Sequence, residues 1–223
     1  MFPPLTDLVA LAGIALVACA VCLRLPRLTF NNAGQADAKG RWLASLCFVV
    51  MWIPVGAQQL PIAAFVRGVT SDFSVSLVVL AALNLASRLF GLKLFDRREC
   101  QVVFYLVAAA ALFLYPLALG WGDWDAYRMG WGSAGMWAGL LSVCVVCWVA
   151  GLRLVPLLIG LAMALWTAQL MESTNLWDYL FDPWLAAAAI FKSVAAGATQ
   201  LRGRLFRKRI DGAIDSPGSP RPG

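Results

Sequence analysis

The stretch AGMWAGLLSVCVVCWVAGLRLVPLLIGLAMALWTAQLM, residues 134–171, carries a single charged residue, Arg153. As one helix it would be about 57 Å long at 1.5 Å per residue, about twice the thickness of a bilayer's hydrocarbon core. It must therefore turn back on itself. Gly151-Leu152-Arg153 is the natural place for a tight hairpin, with Pro156 able to sit in the first turn of the following helix. Two apolar helices joined by a short turn with a lone cation read as a double membrane crossing, and the cation assigns the turn to the cytoplasmic side.

Outward from this hairpin the charges are sorted. The gap before it, Gly120-Trp121-Gly122-Asp123-Trp124-Asp125-Ala126-Tyr127-Arg128-Met129-Gly130-Trp131-Gly132, is aromatic and acidic with one Arg. The gap after it, 172–183, holds Glu172, Asp178 and Asp182 and no base. Beyond the apolar segment 184–199 come Arg202, Arg204, Arg207, Lys208 and Arg209, which belong on the cytoplasmic side and require that segment to cross. Toward the N-terminus, Lys93, Arg97 and Arg98 form one basic gap. Arg24, Arg27, Lys39 and Arg41 form another, around a turn at Asn31-Asn32-Ala33-Gly34.

The expectation is an all-α integral membrane protein. Seven helices are expected to span 8–23, 42–66, 73–92, 101–119, 134–151, 154–171 and 184–199, with the N-terminus outside and the C-terminus cytoplasmic. They form a single domain over 1–205, followed by a tail, 206–223, that is basic and then disordered from Asp211. Two details stay open. Pro54, Gly56, Gln58, Gln59 and Pro61 interrupt the second span, so it either ends near Ala57 with an interfacial piece after it or continues kinked to Val66. The last segment is short and carries Lys192, so it spans or lies in the interface. The N-terminal MFPPLTD lacks the basic residues of a cleaved signal, so the first span is expected to be retained.

Composition agrees with a lipid solvent: of 223 residues 61% are hydrophobic and 13% charged, more apolar surface than a soluble domain of this length hides. A net charge of +6 would suggest nucleic acid in a soluble protein, but these cations flank apolar spans and follow topology, so no nucleic-acid partner is expected. Histidine is absent, which removes the commonest metal ligand and the side chain that titrates near neutrality. Neither a cofactor nor a metal is expected.

Cysteine and tryptophan follow the same division. Cys19, Cys22, Cys47, Cys100, Cys144 and Cys147 all fall toward the cytoplasmic ends of their spans, where thiols stay reduced, so no disulfide is expected. Trp121, Trp124, Trp131, Trp137, Trp177 and Trp184 gather at the outer face, as interfacial rings do. Two thiol pairs, Cys19-x-x-Cys22 and Cys144-x-x-Cys147, could converge on a soft metal, but packing filler is the plainer reading.

Two sets of residues stand out as candidates for function. At the outer face Trp121, Asp123, Trp124, Asp125, Tyr127, Arg128, Asp178 and Asp182 form an aromatic and acidic surface for a ligand or partner. No catalytic group is assigned among them, since neither a raised pKa nor a facing pair is legible from spacing. Within the spans, Gln58, Gln59, Asn84, Arg88 and Lys192 are the polar groups that a solute or lipid path would use. The plain readings are a kinked helix for the glutamines, snorkelling for Arg88 and a tilted helix for Lys192. Gly135-x-x-x-Gly139 and Gly160, Ala164 and Ala168 would let the fifth and sixth helices pack closely.

The function expected first is that of a non-catalytic accessory or scaffold component of an envelope-associated system in a bacterial inner membrane. Its partners would be the lipid bilayer, anionic lipid head groups at the basic tail, and other membrane proteins. A small-solute or lipid transporter comes second, and a membrane enzyme acting on lipid-linked or sugar substrates at the outer face third. They differ in what they require. A transporter needs a polar cavity at mid-membrane, an enzyme converging acids at the outer rim, and a scaffold neither.

Overall fold

The structure is a computed structural model that describes residues 4–24 and 38–214, without the side chains of 204–214. The expected loop turn at Asn31-Asn32-Ala33-Gly34 and the tail beyond 214 lie outside the described residues. Long apolar runs form helices, and the described residues are helical apart from turns and one hairpin of two-residue strands. Among the described residues two helices, α1 (Leu5–Cys22) and α5 (Arg97–Ala118), are long and apolar enough to cross a membrane. Shorter apolar helices are α4 (Val75–Phe90), α6 (Ala134–Val149) and α7 (Leu154–Thr167).

Helix boundaries follow local chemistry. Ser74 and Ser133 cap α4 and α6, accepting from the N–H groups of Leu77 and Met136 at 3.2 Å each. At the α6 C-terminus Gly151 adopts φ 74°, which lets Leu152 N donate to Cys147 O at 2.8 Å and Gly151 N to Trp148 O at 3.0 Å. This is a Schellman stop, and α7 starts only three residues later at Leu154. The first N–H groups of α7 are capped from another helix: Glu99 Oε2 accepts from Arg153 N at 2.7 Å and Leu154 N at 2.8 Å. A carboxylate at a helix N-terminus is favoured by the helix dipole, so Glu99 fastens α5 to the hairpin.

The second apolar segment takes the divided form. Helix α2 (Ala38–Met51) stops short of Pro54, a hairpin of β1 (Pro54–Val55) and β2 (Leu60–Pro61) follows, and α3 (Ile62–Thr70) runs from it. Gly56 (φ 73°) and Gln59 (φ 52°) make the turn, and Gln59 Nε2 donates to Gly56 O at 3.0 Å. At the other end of the chain, α8 (Leu176–Leu180) precedes α9 (Pro183–Ile214), which continues without a break past 199 and past Asp211. Residues 211–214, expected to be disordered, are therefore helical: Arg and Lys are good helix formers and no Pro interrupts the stretch, so the helix runs on through Gly203 and Gly212.

In the bundle α1 packs on α2, α3 and α4; α4 also on α7; α5 on α7 and α9; and α6 on α7. The largest core joins α4 to α9, with Ile159, Leu154, Leu158, Leu176 and Tyr179 buried in it. A smaller one, around Cys19, Leu23, Ala44 and Leu85, ties α1, α2 and α4. Gly13 lets α1 and α4 approach closely, since a Cβ there would lie 2.9 Å from Val78. The α6–α7 hairpin forms, but not on the expected glycine faces: a Cβ at Gly139 or Gly160 would meet nothing within 4 Å.

Loops meet at two ends. Asp7, Arg67, Asp72 and Glu172 touch at one, the acidic end. At the other, the basic end, Arg88 Nη1 donates to Leu23 O at 2.9 Å and Glu99 caps α7.

Candidate functional site

At the acidic end the segments 120–132 and 172–182 interlock. Asp125 caps a 3-10 helix (Ala126–Trp131), accepting from Tyr127 N at 2.9 Å. Tyr127 Oη donates to Asp178 Oδ2 at 2.8 Å, and Ser173 Oγ donates to the same oxygen. Asn175, 1% exposed, donates from Nδ2 to Tyr127 O at 2.9 Å and accepts from Trp177 N at 3.0 Å, while Trp177 Nε1 donates to Ala126 O at 3.1 Å. Asp182 is buried and joins α9 to α4, accepting from Leu185 N and Ser74 N at 2.8 Å each.

These carboxylates are committed as acceptors. Burial, then the hydrogen bond to Asp178, pushes the Tyr127 phenol up to about 12, so it stays a neutral donor at physiological pH. Burial likewise raises Tyr179. The acids that do converge, Asp7, Asp72 and Glu172, converge on Arg67, whose Nη1 lies 2.7 Å from Asp7 and whose Nη2 lies 2.9 Å from Glu172, with Asp72 on Nε. Hydrogen bonding to Asp72 holds that guanidinium even more firmly protonated than usual. Nothing in this arrangement provides an acid and a base across a substrate-sized gap. The sequence distinguishes Arg67 only as one of two cations, with Arg128, among the acids of this end, and its role as hub follows from the tertiary contacts. Of the remaining residues of this surface, Trp121, Asp123 and Arg128 are exposed, and Trp124, half-exposed, packs on Phe113 at 5.9 Å.

Beneath this cap lies an apolar groove of about 340 Å³ between α5, α6 and α7, roofed by Trp124, Met129 and Trp177. Gly135 and Gly139 line it, so their missing side chains widen the groove instead of drawing two helices together.

The basic end holds a larger and different space. A cavity of about 1000 Å³ lies between α4, α5 and α9. Three of the polar residues marked in the spans, Asn84, Arg88 and Lys192, line it together. Arg24, Lys93 and Arg97 join them, and Asp96 is the one acid among the lining residues. Lys192 Nζ sits 3.6 Å over the Phe104 ring, a cation–π contact from α9 to α5. Asn84 Oδ1 and Ser193 Oγ, also in the lining, are buried without a hydrogen-bond partner. Gln58 and Gln59 are not part of this group, for they are exposed in the hairpin turn.

The two Cys-x-x-Cys pairs do not meet. Cys22 Sγ lies 3.5 Å from Cys47 and Cys19 Sγ donates to Ala44 O, whereas Cys147 belongs to the core of α4 to α9. All six thiols are free, and among the described residues no cluster of His, Cys, Asp or Glu could hold a metal. Comparison with known protein families, with curated proteins and with solved structures gives no match.

Proposed function

We propose that this chain is a multi-pass protein of a bacterial inner membrane that binds an anionic solute or lipid head group in the basic-end cavity, as a transporter or lipid-handling protein does. Seven crossings are assigned: α1, the α2 segment, α4, α5, α6, α7 and α9, with the acidic end outside and the basic end cytoplasmic. Large apolar side chains that face outward support a lipid solvent, among them Leu141 and Val146 on α6 and Phe191 and Val194 on α9, each at least 66% exposed. Helices of 14–16 residues are short for a 30 Å core, and apolar flanks or local thinning of the bilayer make up the difference.

One observation carries the ligand: cations from α1, α4, α5 and α9 converge on one cavity with a single acid. Topology alone asks only that cations lie at that end, whereas convergence around a shared space with Asn84 and Ser87 is what an anion needs. The accessory-component reading retains one specific support, a stiff outer cap that leaves Trp121 78% and Trp131 55% exposed.

Purification from native membranes in mild detergent, followed by mass determination of the intact complex, separates the two. A bound anionic species that is lost in a Lys192→Gln, Arg97→Gln variant is the expected result. A companion protein with no small ligand would shift the assignment to an accessory component, and a bare monomer would contradict both.

A further inference from the structure

On that reading of the cavity, we propose that its ligand carries a phosphate group with at least two negative charges, a phosphomonoester or a diphosphate, and not a singly charged diester or carboxylate. The lining holds Arg24, Arg88, Lys93, Arg97 and Lys192 against Asp96, which is five cations less one acid, a net of +4. A ligand with one negative charge would leave three of these positive charges uncompensated; Arg24, Lys93, Arg97 and Lys192 are themselves exposed, so water screens them in part and the gain from a second negative charge is graded. A doubly or triply charged group offsets most of them.

The placement of the cations points the same way. Each comes from a different part of the fold: the turn just after α1, the last turn of α4, the loop after it, the first turn of α5 and the first third of α9. Cations gathered from five places surround a volume, unlike the run beyond 201, which follows a single helix. Guanidinium groups present forked N–H donors that match phosphate oxygens, and Lys adds a point charge, so the mixture suits a phosphate with several free oxygens.

Neutral groups complete the match. Ser87, Gln101 and Tyr105 line the same cavity and offer hydroxyl and amide donors. Asn84 Oδ1 and Ser193 Oγ have unmet hydrogen-bonding capacity at its wall: the Ser193 hydroxyl can donate to a phosphate oxygen, and Asn84 Oδ1 can accept from a hydroxyl beside the phosphate. Leu80, Leu83, Phe95 and Phe104 supply apolar wall, so the rest of the ligand meets hydrocarbon on one side. The chemistry fits a phosphorylated head group with its tails in the bilayer, and equally the same phosphate on a soluble molecule.

The experiment uses the full chain in detergent and measures binding of four probes at about pH 8, above the second phosphate pKa of about 6. The probes are short-chain phosphatidic acid, short-chain phosphatidylglycerol, short-chain phosphatidylcholine and inorganic pyrophosphate. Phosphatidic acid is expected to bind at least ten-fold more tightly than phosphatidylglycerol, with phosphatidylcholine weaker than both. Lys192→Gln and Arg97→Gln should each reduce that preference, while Asp123→Asn, at the opposite end, should leave it unchanged. Competition by pyrophosphate would support the proposal with a soluble ligand, and its failure to compete against tight phosphatidic acid binding would support it with a lipid. Equal binding of phosphatidic acid and phosphatidylglycerol would overturn the charge requirement and leave anion binding intact. Binding of no anion would remove both.

Discussion

Gly130 shows how tightly single residues can be constrained in the cap at the acidic end. A Cβ at that position would lie 1.7 Å from Asn175 Oδ1 and 2.6 Å from its Cγ. Asn175 cannot move aside cheaply, because it is buried and bonded to both Tyr127 and Trp177. Gly130→Ala should therefore destabilise the protein by about 3 kcal/mol, read as a lower unfolding temperature in detergent. Gly139→Ala, with nothing within 4 Å, should be neutral or slightly stabilising in the same measurement. Tyr127 adds a pH dependence. Its folded pKa is about 12 against an ordinary 10, so the neutral form is favoured by folding. That stabilisation is complete below about pH 10 and is lost as pH rises from there toward 12; the fall should be shallower in Tyr127→Phe, and an unchanged fall would exclude this phenol as a contributor. None of this could be read from composition: Asp125, Asp178 and Asp182 look like an acidic surface until their hydrogen-bond partners are known.

Among the elements, the α6–α7 hairpin was the most legible, since an apolar stretch too long for one crossing with a Gly-Leu-Arg turn in its middle leaves few alternatives. Its clamp was not legible, because Glu99 lies more than fifty positions from the N–H groups it caps and sequence spacing gives no hint of that contact. Glu99→Ala should weaken the α7 N-terminus by about 1–2 kcal/mol, and amide exchange at Arg153 and Leu154 should quicken before the rest of α7. Unchanged exchange there would show that the clamp carries no stability. Of two other elements, the second segment took one of its two open forms and α9 departed from expectation. Pro54 and Pro61 divide the second segment more fully than a kink would, and α9 runs on because arginine and lysine favour helix as well as solvent.

For the whole molecule, the sorted charges anticipated two chemically distinct ends, and contacts between Asp7, Arg67 and Glu172 bring three distant parts of the chain together at one of them. The cavity was half-visible: Asn84, Arg88 and Lys192 were marked by being polar inside apolar runs, but that they share a space with Arg24 and Arg97 depends on how four helices pack. The proposed membrane topology, and the side from which the cavity would be reached, depend on which end faces the cytoplasm. In a cysteine-free background, single cysteines at Asp123, exposed at the acidic end, and Leu94, 62% exposed at the basic end, allow this to be read with a membrane-impermeant thiol reagent on intact cells. Labelling at 123 without permeabilisation, and at 94 only after it, is the expected result; labelling of 94 from outside, or of both positions alike, would contradict it.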